Sequence, residues 1–403
     1  MITVSQNKRF LEKDHTPYLY LADTAWTLLQ RLSREEIVFY LDRRVAQGFN
    51  AVQVSAVSEL DGLHIPNREG QLPFKNDNPL FPNKAYFKML IFLAEECKKR
   101  DLVLTLLPYW GNLFNQKWGV GPEVLTPENA FSYASFLSRS LASFENVIWM
   151  LGGDRPVESE YHRLIIEETA NGLKAAGGVP KLMTYHPCGE ASSVGFSFLA
   201  DILDFHSLQS GHSFGGFKSE KMVQKTLQKG RKPCLDAECF YEDFPLDFDL
   251  ARNYRFTPAD IRRRMYKNLL CGALGTVYGH QSVWCFRDRT DAEYPYTWRE
   301  ALDRPMAEQM RHFSALAKLA DFTKRERSAS AYGAVSCRCG ETELLYLENT
   351  DPVFLTLKDN ALPKSACWFD PVTGTCDPFK QPPDAKATLQ SPFGHDAVLL
   401  LTY

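Results

Sequence analysis

The chain has 403 residues, of which 44% are hydrophobic and 24% charged, and its formal net charge at pH 7 is −3. This length favours a large barrel with a small second domain, and the interspersed charges argue against nucleic acid or an anionic membrane as a partner. The first residues lack the pattern of a signal peptide, and the apolar runs are too short to cross a membrane. We therefore expect a cytoplasmic protein.

Strand and helix patterns alternate along the first 325 residues. The predicted strands lie at 17–26, 49–59, 102–112, 146–156, 181–189, 200–213, 232–243 and 275–286. Helical periodicity separates most of them, and some helix starts are marked, as by the capping-box pattern of Ser33 and Glu36 or by the cap Thr126 before a proline. Eight strands in this order predict an α/β fold, a (β/α)8 TIM barrel, because an open doubly wound sheet usually has fewer strands.

The pattern changes after about residue 325. Short alternating runs at 329–336, 341–349, 353–359, 365–374 and 396–403 are broken by Pro, Gly, Asn and Asp. They predict a small antiparallel β-sandwich. The chain thus divides into a barrel of residues 1–325 and a β-sandwich of residues 326–403. We expect the sandwich to pack against the barrel as a structural support, with carbohydrate binding as the less favoured alternative.

The ten cysteines are spread along the chain without C-x2-C spacing. This favours reduced, structural thiols over a disulfide framework or a metal site. Cys337 and Cys339 lie two apart on a predicted strand, so they are expected to share a face. The histidines lack H-x-H and H-E-x-x-H spacing, and no phosphate-loop motif is present. We expect no metal ion and no other cofactor.

In a TIM barrel, the residues just beyond the C-terminal strand ends meet at one mouth, where the active site lies. The stretch "NVIWMLGGDRP" ends the predicted fourth strand, where Gly152 and Gly153 allow a close turn before Asp154. The stretch "KPCLDAECFYED" ends the seventh strand with Glu238. Two facing carboxyl groups are what glycoside hydrolysis needs: one protonates the leaving oxygen, and the other attacks the anomeric carbon or activates water.

Each of these carboxyl groups has a structural alternative. Asp154 is also placed for a salt bridge to Arg155. For Glu238 the alternative is an ion pair with a basic neighbour. It also has three acidic neighbours, Asp236, Glu242 and Asp243, so the choice among the four stays open. Asp236 and Glu238 are expected on the same face of the strand, with Glu238 nearer its end.

Five motifs carry a resemblance to a known family. They are "LADTAWTLLQRLSREE", "LDRRVAQGFNAVQVSAVSELDG", "VIWMLGGDRP", "KPCLDAECFYED" and "GTVYGHQSVW". Over essentially its whole length the chain resembles the apiosidase-like family, glycoside hydrolase family 140, whose members carry a small C-terminal β-domain. The resemblance implies a (β/α)8 barrel with a retaining mechanism, with Asp154 as acid/base and Glu238 as nucleophile. The activity known in this family acts on β-linked apiose, but sugar specificity resides in loops that vary freely on such a scaffold.

Other polar and aromatic residues near predicted strand ends are candidates for binding the sugar, since acids, amides and histidines bind hydroxyl groups and rings stack on sugars. They are Asp23, Trp26, Gln53, Tyr109, Trp110, His186, His206, Tyr241, His280 and Trp284. For the rings the alternative is core packing, and for the histidines it is a structural hydrogen bond.

The sequence therefore predicts a retaining, exo-acting glycoside hydrolase that cleaves a small plant-derived glycoside or oligosaccharide by double displacement. One alternative is a non-catalytic carbohydrate-binding or scaffolding barrel, which Asp154 and Glu238 pointing apart would favour. Another is a metal-dependent hydrolase. The sequence identifies no interface, so a homo-oligomer stays open as a partner.

Overall fold

The computed structural model describes residues 1–214, 218–328, 331–357 and 362–403. Eight parallel strands form a barrel. They are β1 (Tyr20–Thr24), β2 (Ala51–Ser55), β3 (Val103–Leu107), β4 (Val147–Gly152), β5 (Met183–His186), β6 (His206–Gln209), β7 (Cys234–Glu238) and β8 (Gly275–Tyr278). Each lies within one of the eight predicted segments, so the predicted TIM barrel is confirmed.

The strands pair in the order β8–β1–β2–β3–β4–β5, and β6 pairs with β7. Two further backbone hydrogen bonds connect β5 to β6 and β7 to β8, the two neighbouring pairs that the ladders above leave open. Asp204 N donates to Met183 O between β5 and β6, and Leu274 N donates to Cys234 O between β7 and β8, both at 2.8 Å. The C-terminal ends of all eight strands therefore lie around one mouth.

Helices follow most of the strands. Besides a single helical turn, Leu28–Arg31, after β1, they are α1 (Arg34–Ala46), α2 (Lys84–Lys99), α3 (Pro127–Ser140), α4 (Glu160–Ala175), α5 (Ser219–Gly230), α6 (Pro258–Leu270), α7 (Trp298–Ala301), α8 (Pro305–Gln309) and α9 (Arg311–Leu319). The predicted capping box of Ser33 and Glu36 starts α1, and Thr126 caps α3. Two short 3-10 turns, Ser193–Gly195 and Ser197–Leu199, lie between β5 and β6.

Two apolar layers hold the barrel together. Residues of alternating strand positions, such as Ala22, Ile148 and Val277, fill the interior. Their neighbours, such as Val52 and Leu151, pack outward against the helices. A small antiparallel sheet of Ile2–Val4, Leu11–Lys13 and Thr16–Tyr18 packs against the interior layer, and a hairpin joins Phe74–Lys75 to Asn78–Pro82. A strand buried on both faces reads as a continuous apolar run, which is why "VIWML" shows no alternation.

The C-terminal region forms two antiparallel sheets. Its strands are β9 (Arg325–Arg327), β10 (Ala331–Tyr332), β11 (Val335–Cys339), β12 (Thr342–Leu347), β13 (Val353–Thr356), β14 (Ser365–Phe369), β15 (Cys376–Pro378), β16 (Lys386–Leu389) and β17 (Ala397–Thr402). The six-stranded sheet has the order β9–β11–β12–β17–β14–β15, and the three-stranded sheet has the order β10–β13–β16. The predicted β-sandwich is confirmed. Residues 329–330 and 358–359 of the predicted runs lie outside the described residues.

The six-stranded sheet packs between the barrel and the smaller sheet. Leu345 and Leu399 point to the smaller sheet, whereas Tyr346 and Leu400, one position along each strand, join the cluster that contains α6 and α9. The ring of Tyr346 stacks on Tyr266 of α6 at a centroid distance of 5.3 Å. The sandwich therefore shares a continuous apolar core with the barrel, while its boundary after residue 325 and its role stay predictions.

The cysteine prediction is wrong for one pair, because Cys367 and Cys376 on neighbouring strands form a disulfide. Cys337 and Cys339 lie on one face of β11 with their sulfur atoms 3.9 Å apart, as predicted. None of the helices in the described part of the chain is long and apolar enough to span a bilayer.

A buried ion pair ties the sandwich to the barrel. The guanidinium of Arg262 on α6 donates to both carboxylate oxygens of Asp396, at 2.5 and 3.1 Å, and Tyr346 Oη donates to the same carboxylate. We expect Asp396→Ala to lower the free energy of unfolding by about 3–5 kcal/mol, because it leaves the Arg262 charge buried without a partner. Denaturant unfolding measures this change.

Asp303→Ala is the control, since Asp303 pairs with Arg43 at the surface. An exposed pair of this kind contributes roughly 0–1 kcal/mol. Equal losses in the two variants would contradict the prediction.

Candidate active site

A cavity of about 840 Å³ opens at the C-terminal ends of the barrel strands. Its wall includes residues that follow five different strands. They are Trp26 after β1, Trp110 after β3, Asp154 after β4, Tyr241 after β7 and Trp284 after β8, with Glu238 at the end of β7 itself. The two carboxyl groups predicted from the sequence thus line the same cavity.

The turn after β4 brings Asp154 to the cavity wall. Gly152 and Gly153 have φ angles of 87° and 113°, in the region that only glycine adopts freely. A side chain at Gly152 would collide with the carbonyl oxygen of His186, and one at Gly153 with the amide nitrogen of Gly111. Asp154 itself has a φ of 56°, a strained angle of the kind that clusters at functional sites. The two glycines are therefore required by the close approach of the segments that follow β3, β4 and β5.

Arg155 is fully buried behind Asp154 and connects three loops. Its Nη2 donates to Glu59 Oε1 at 2.6 Å, and its Nη1 donates to Asp154 Oδ2 at 3.0 Å. Its Nε donates to the carbonyl oxygen of Gln116, and its guanidinium lies over the ring of Trp118, 4.8 Å from the ring centroid. The expected salt bridge between Asp154 and Arg155 exists, but Asp154 still reaches the cavity.

A β-bulge directs Glu238 into the cavity. Asp236 pairs with Leu208 and Glu238 pairs with Gln209, so Ala237 is an extra residue between them. A bulge reverses the alternation of side chains along a strand and often re-aims a side chain beside an active site. The prediction that Asp236 and Glu238 share a face is therefore wrong.

Two histidines hold the Glu238 carboxylate. Nε2 of His186, at the end of β5, lies 3.0 Å from Oε2, and Nε2 of His212, after β6, lies 3.1 Å from Oε1. A carboxylate only accepts hydrogen bonds, so both Nε2 atoms donate. Burial by itself would raise the pKa of Glu238, but the hydrogen bonds and charges of His186 and His212 lower it to about 2.

The pKa of Asp154 moves in the opposite direction. Burial is the largest cause, and the neighbouring charge of Glu238 adds to it, so the pKa of Asp154 rises from 3.8 to about 7. Below about pH 7 Asp154 thus keeps its proton while Glu238 is ionised. This separation is typical of carboxyl pairs that act as acid and nucleophile.

Aromatic rings line the deep part of the cavity. Trp26 and Trp110 lie with their ring centroids 5.1 Å apart, and Trp26 Nε1 donates to Tyr241 Oη at 2.7 Å. These three rings are almost completely buried, whereas Trp284 is half-buried. Rigid rings with a hydrogen-bonding edge can pack on the apolar face of a sugar.

Seven of the twelve residues predicted for the site are brought together. Asp154, Glu238, Trp26, Trp110, Tyr241 and Trp284 line the cavity, and His186 contacts it through Glu238. Five others are not among the described residues that line it: Asp23, Gln53, Tyr109, His206 and His280.

Asp23, Tyr109 and Gln53 are instead buried in the barrel wall or interior. The Asp23 carboxylate accepts from Arg44 Nε of α1 at 2.6 Å. Tyr109 Oη is 2.7 Å from Thr169 Oγ1 of α4. Gln53 is fully buried inside the barrel. Asp23 and Tyr109 each bind a helix residue that is distant in the sequence. Their position at a strand end alone therefore predicted them wrongly in the cavity.

The two remaining histidines are structural for different reasons. His206 is the first residue of β6, so it lies at the opposite end of the strand from the cavity, with Nδ1 2.8 Å from Ser193 Oγ. His280 follows β8, but its Nε2 lies 3.0 Å from Asp243 Oδ2. Predicting the end of β6 correctly would have selected His212 in place of His206.

The other carboxyl groups in β7 and in the loop after it have partners of their own. Asp236 accepts from Ser210 Oγ and from Asn268 Nδ2 of α6, and Glu242 accepts from Tyr278 Oη. Asp243 pairs with Arg304 at 2.8 Å as well as with His280. These groups are outside the described lining of the cavity, so the geometry favours Glu238 among the four acids.

Three residues that contact Asp154, Glu238 or Arg155 were not predicted from the sequence. They are His212, Glu59 and Trp118, and all three lie in loops that follow the C-terminal ends of β6, β2 and β3. The same rule of strand ends applies to them, but they lie several residues beyond the strand. Among the described residues, no group of three or more His, Cys, Asp or Glu is arranged to hold a metal ion.

A TIM barrel with an acidic residue at the ends of its fourth and seventh strands, in one aromatic cavity, is the architecture of a glycoside hydrolase. The chain belongs to the apiosidase-like family, whose catalytic-domain model matches residues 5–324. Among curated proteins, none matches the chain.

Solved structures agree with this assignment. A glycoside hydrolase family 5 protein from Bacteroides vulgatus has 25% identity and a TM-score of 0.88, covering 100% of this chain and 93% of its own. A second protein, described as a glycoside hydrolase, has 24% identity and the same TM-score, with 100% and 96% covered. A GH5_18 protein from Streptomyces cattleya, in complex with GlcNAc, has 13% identity and a TM-score of 0.53, with 76% and 81% covered. The first match and the family support glycoside hydrolase activity, and the others share the fold.

The raised pKa of Asp154 predicts a pH-dependent gain in stability for Asp154→Asn. The unfolded carboxyl group ionises near pH 4, but the folded one keeps its proton to about pH 7. The wild-type fold therefore loses stability as the pH rises from about 4 to about 7, and the loss is complete above that. Because the amide does not ionise, the variant should melt at a higher temperature than wild type at pH 8, with little difference at pH 4.

Thermal melts of both proteins at the two pH values check this. Asp303→Asn, at an exposed carboxyl group, should show no such pH dependence. A melting-temperature difference that is the same at pH 4 and pH 8 would rule the prediction out.

Proposed function

We propose that the protein is a retaining, exo-acting glycosidase that resembles β-apiosidases and cleaves a small plant-derived glycoside or oligosaccharide by double displacement. The observation that carries this proposal is that Asp154 and Glu238, from the ends of β4 and β7, line one cavity, and that two histidine Nε2 atoms donate to Glu238 alone. A proton donor beside an anionic carboxylate is the pair that this mechanism needs.

In the first step, a Glu238 oxygen attacks the anomeric carbon while the bond to the leaving oxygen breaks. Asp154 gives its proton to that oxygen, so the leaving group departs as a neutral alcohol and the sugar stays bound to Glu238 as an ester. Hydrogen bonds from His186 and His212 stabilise the ionised form of Glu238. Glu238 is therefore unprotonated when the substrate binds.

In the second step, the ionised Asp154 takes a proton from a water molecule whose oxygen attacks the same carbon. The bond to Glu238 breaks, and its electron pair returns to the carboxylate. Glu238 ends ionised and Asp154 ends protonated, so the enzyme is ready for another cycle. A pKa near 7 suits a group that must donate and then accept a proton.

The cavity supports a small substrate and attack on a terminal sugar. Its volume of about 840 Å³ is typical of small-molecule sites. The most buried rings of its lining are Trp26, Trp110 and Tyr241, and we place the terminal sugar against them, with its leaving group towards the exposed side of the cavity. Pocket geometry of this kind favours exo over endo action.

The first test is release of sugar from a panel of apiosides and other aryl and plant glycosides. We expect wild-type protein to turn over one sugar in the panel. Glu238→Gln should lower kcat for it by at least about a thousandfold, the order seen when an enzyme loses its nucleophile. The matched control is Asp236→Asn, two residues earlier on β7, whose carboxyl group bonds to Ser210 and Asn268 outside the cavity.

The same reaction, followed by proton NMR, reports the stereochemistry. Retention requires that the first-formed sugar keep the anomeric configuration of the substrate, and that added methanol give a methyl glycoside of that configuration. A first-formed product of opposite configuration would show that the enzyme acts by single displacement and not by double displacement. No turnover of any glycoside by folded protein would contradict the proposed function itself.

The proton donor is tested by the pH profile. Because Asp154 must be protonated to act, kcat/KM should fall as the pH rises through about 7. Asp154→Asn should remove this basic limb and slow alkyl glycosides by about 10²–10⁴-fold. Glycosides of dinitrophenol should be slowed much less at the first step, because their leaving group departs without a proton. An unchanged basic limb in Asp154→Asn would assign the acid to another group.

A further inference from the structure

A second cavity, of about 650 Å³, lies where the barrel meets the sandwich. Its walls come from α5, from the segment after α6 that leads into β8, and from β9 and β11 of the sandwich. Because that segment precedes β8, the cavity lies towards the N-terminal ends of the barrel strands, and its described lining shares no residue with that of the active-site cavity. We call it the junction cavity. The charged residues of its lining are Arg9, Glu220, Lys221, Arg325, Glu326 and Arg327.

The junction cavity contains a buried cation. Arg325 is 7% exposed. Its Nη1 donates to the carbonyl oxygen of Leu269 at 2.6 Å, and its Nη2 donates to that of Ala273 at 3.0 Å. These bonds hold the guanidinium at the end of α6 and use two of its five N–H groups. Carbonyl groups carry only partial charges, so the full charge of Arg325 needs a counter-ion that these contacts do not provide.

The surroundings of Arg325 offer burial without compensation. Burial lowers the pKa of Arg325, and the nearby charge of Arg9 lowers it further. A cation that is paired with a carboxylate has its pKa raised instead, as that of Arg262 is by Asp396. In the described part of the chain no carboxylate forms an ion pair with Arg325, which distinguishes it from Arg155 and Arg262.

Arg327 adds a second guanidinium to the same wall. In the pairing of β9 with β11, Arg325 lies opposite Cys339 and Arg327 lies opposite Cys337. Paired and alternating positions of a sheet share a face, so both arginines are on the face of the two cysteines, which packs towards α6. Glu326, between the two arginines, belongs to the other face of β9.

The remaining cations come from the barrel side. Arg9 Nη2 donates to the carbonyl oxygen of Arg325, and Lys221 extends from α5. Neither has an ion pair with a carboxylate among the residues that the structure describes. Glu220, the acidic residue of α5 in the lining, already lies 3.5 Å from Lys267 Nζ of α6. The junction cavity therefore has an excess of positive charge.

This excess selects the class of ligand. The planar fork of a guanidinium matches the oxygens of a phosphate or a carboxylate, and a phosphate monoester brings close to two negative charges where a carboxylate brings one. The volume is typical of small-molecule sites and larger than a phosphate ion needs. Gln224, Gln228 and Ser336 in the lining carry amide and hydroxyl groups that can bind the hydroxyls of an organic part.

We propose that the junction cavity binds a phosphate monoester of a small polyhydroxy molecule, a sugar phosphate by chemical class, with its phosphate on Arg325 and Arg327. The ligand supplies the counter-ion that the buried guanidinium lacks. Because it contacts residues of both the barrel and the sandwich, its binding stabilises their junction. This site goes beyond the proposed function and does not depend on it.

The ligand class is tested by calorimetry on the full chain in a phosphate-free buffer of low ionic strength. The probes are glucose 6-phosphate, ribose 5-phosphate, inorganic phosphate, succinate and glucose. We expect one of the two esters to bind at least about tenfold more tightly than inorganic phosphate, and succinate and glucose to give no saturable heat. Binding of the ester should weaken in 0.5 M NaCl and should raise the melting temperature as its concentration increases.

The position of the site is tested by substitution. Arg9→Gln and Arg327→Gln change exposed side chains, so the fold is retained, and each should raise the Kd of the ester by about tenfold or more, the size of one charge-assisted hydrogen bond. Arg325→Lys keeps the charge but loses the fork, and should raise the Kd by a similar factor, with a thermal melt to verify folding. The matched control is Arg139→Gln, the same charge change at an exposed arginine of α3, which should leave the Kd within about twofold.

Each result decides one part of the inference. Absence of binding by inorganic phosphate and by both esters would overturn the site. A Kd that does not change in Arg9→Gln, Arg327→Gln and Arg325→Lys would locate the ligand elsewhere on the protein. Succinate that binds as tightly as the esters would refute the choice of phosphate, and inorganic phosphate that binds as tightly would refute the organic part. All these are binding measurements, so they hold whether or not any glycoside is turned over.

Discussion

The site depends on keeping two carboxyl groups of one cavity in different protonation states. Burial and mutual repulsion act on both, and without further contacts both pKa values would rise. His186 and His212 break this symmetry, because their hydrogen bonds to Glu238 make it the group that stays ionised. The charge of Glu238 then helps to keep the proton on Asp154. The arrangement requires the ends of β4, β5, β6 and β7 to be correctly spaced, which a closed barrel provides.

The turn after β4 adds a second constraint, the buried charge of Arg155. A buried guanidinium is tolerated only when it is paired and hydrogen-bonded, and here Glu59 supplies the counter-charge while Asp154 Oδ2 accepts a further hydrogen bond. Because Arg155 also contacts Trp118, the loops after β2, β3 and β4 are held by one side chain. The acid, its counter-charge and the outer aromatic ring therefore form a single unit.

Local sequence was sufficient for the barrel and for placing Asp154 and Glu238 at its mouth. Apolar runs, capping patterns and the "GGD" turn depend on neighbouring residues, and the eight strands were found from them. The bulge at Ala237 was missed, because pairing with β6 determines it and the sequence of β7 does not. The same holds for His212, which was overlooked because the end of β6 was not located, and for the Cys367–Cys376 disulfide, which follows from sheet pairing.

The misassigned polar residues show what a strand end alone leaves undetermined. A side chain at a strand end points either into the mouth of the barrel or outward to the helices. A bulge or a tight turn shifts the alternation by one residue and so reverses the direction of the side chain. Asp23 points outward and binds Arg44 of α1, whereas His280 binds Asp243 in the loop after β7. These contacts fasten the barrel to its outer layer and pair the charges that the fold buries. A polar residue at a strand end therefore either lines the cavity, as Asp154 does, or pairs with a buried group outside it, and neighbouring residues in the sequence do not distinguish the two.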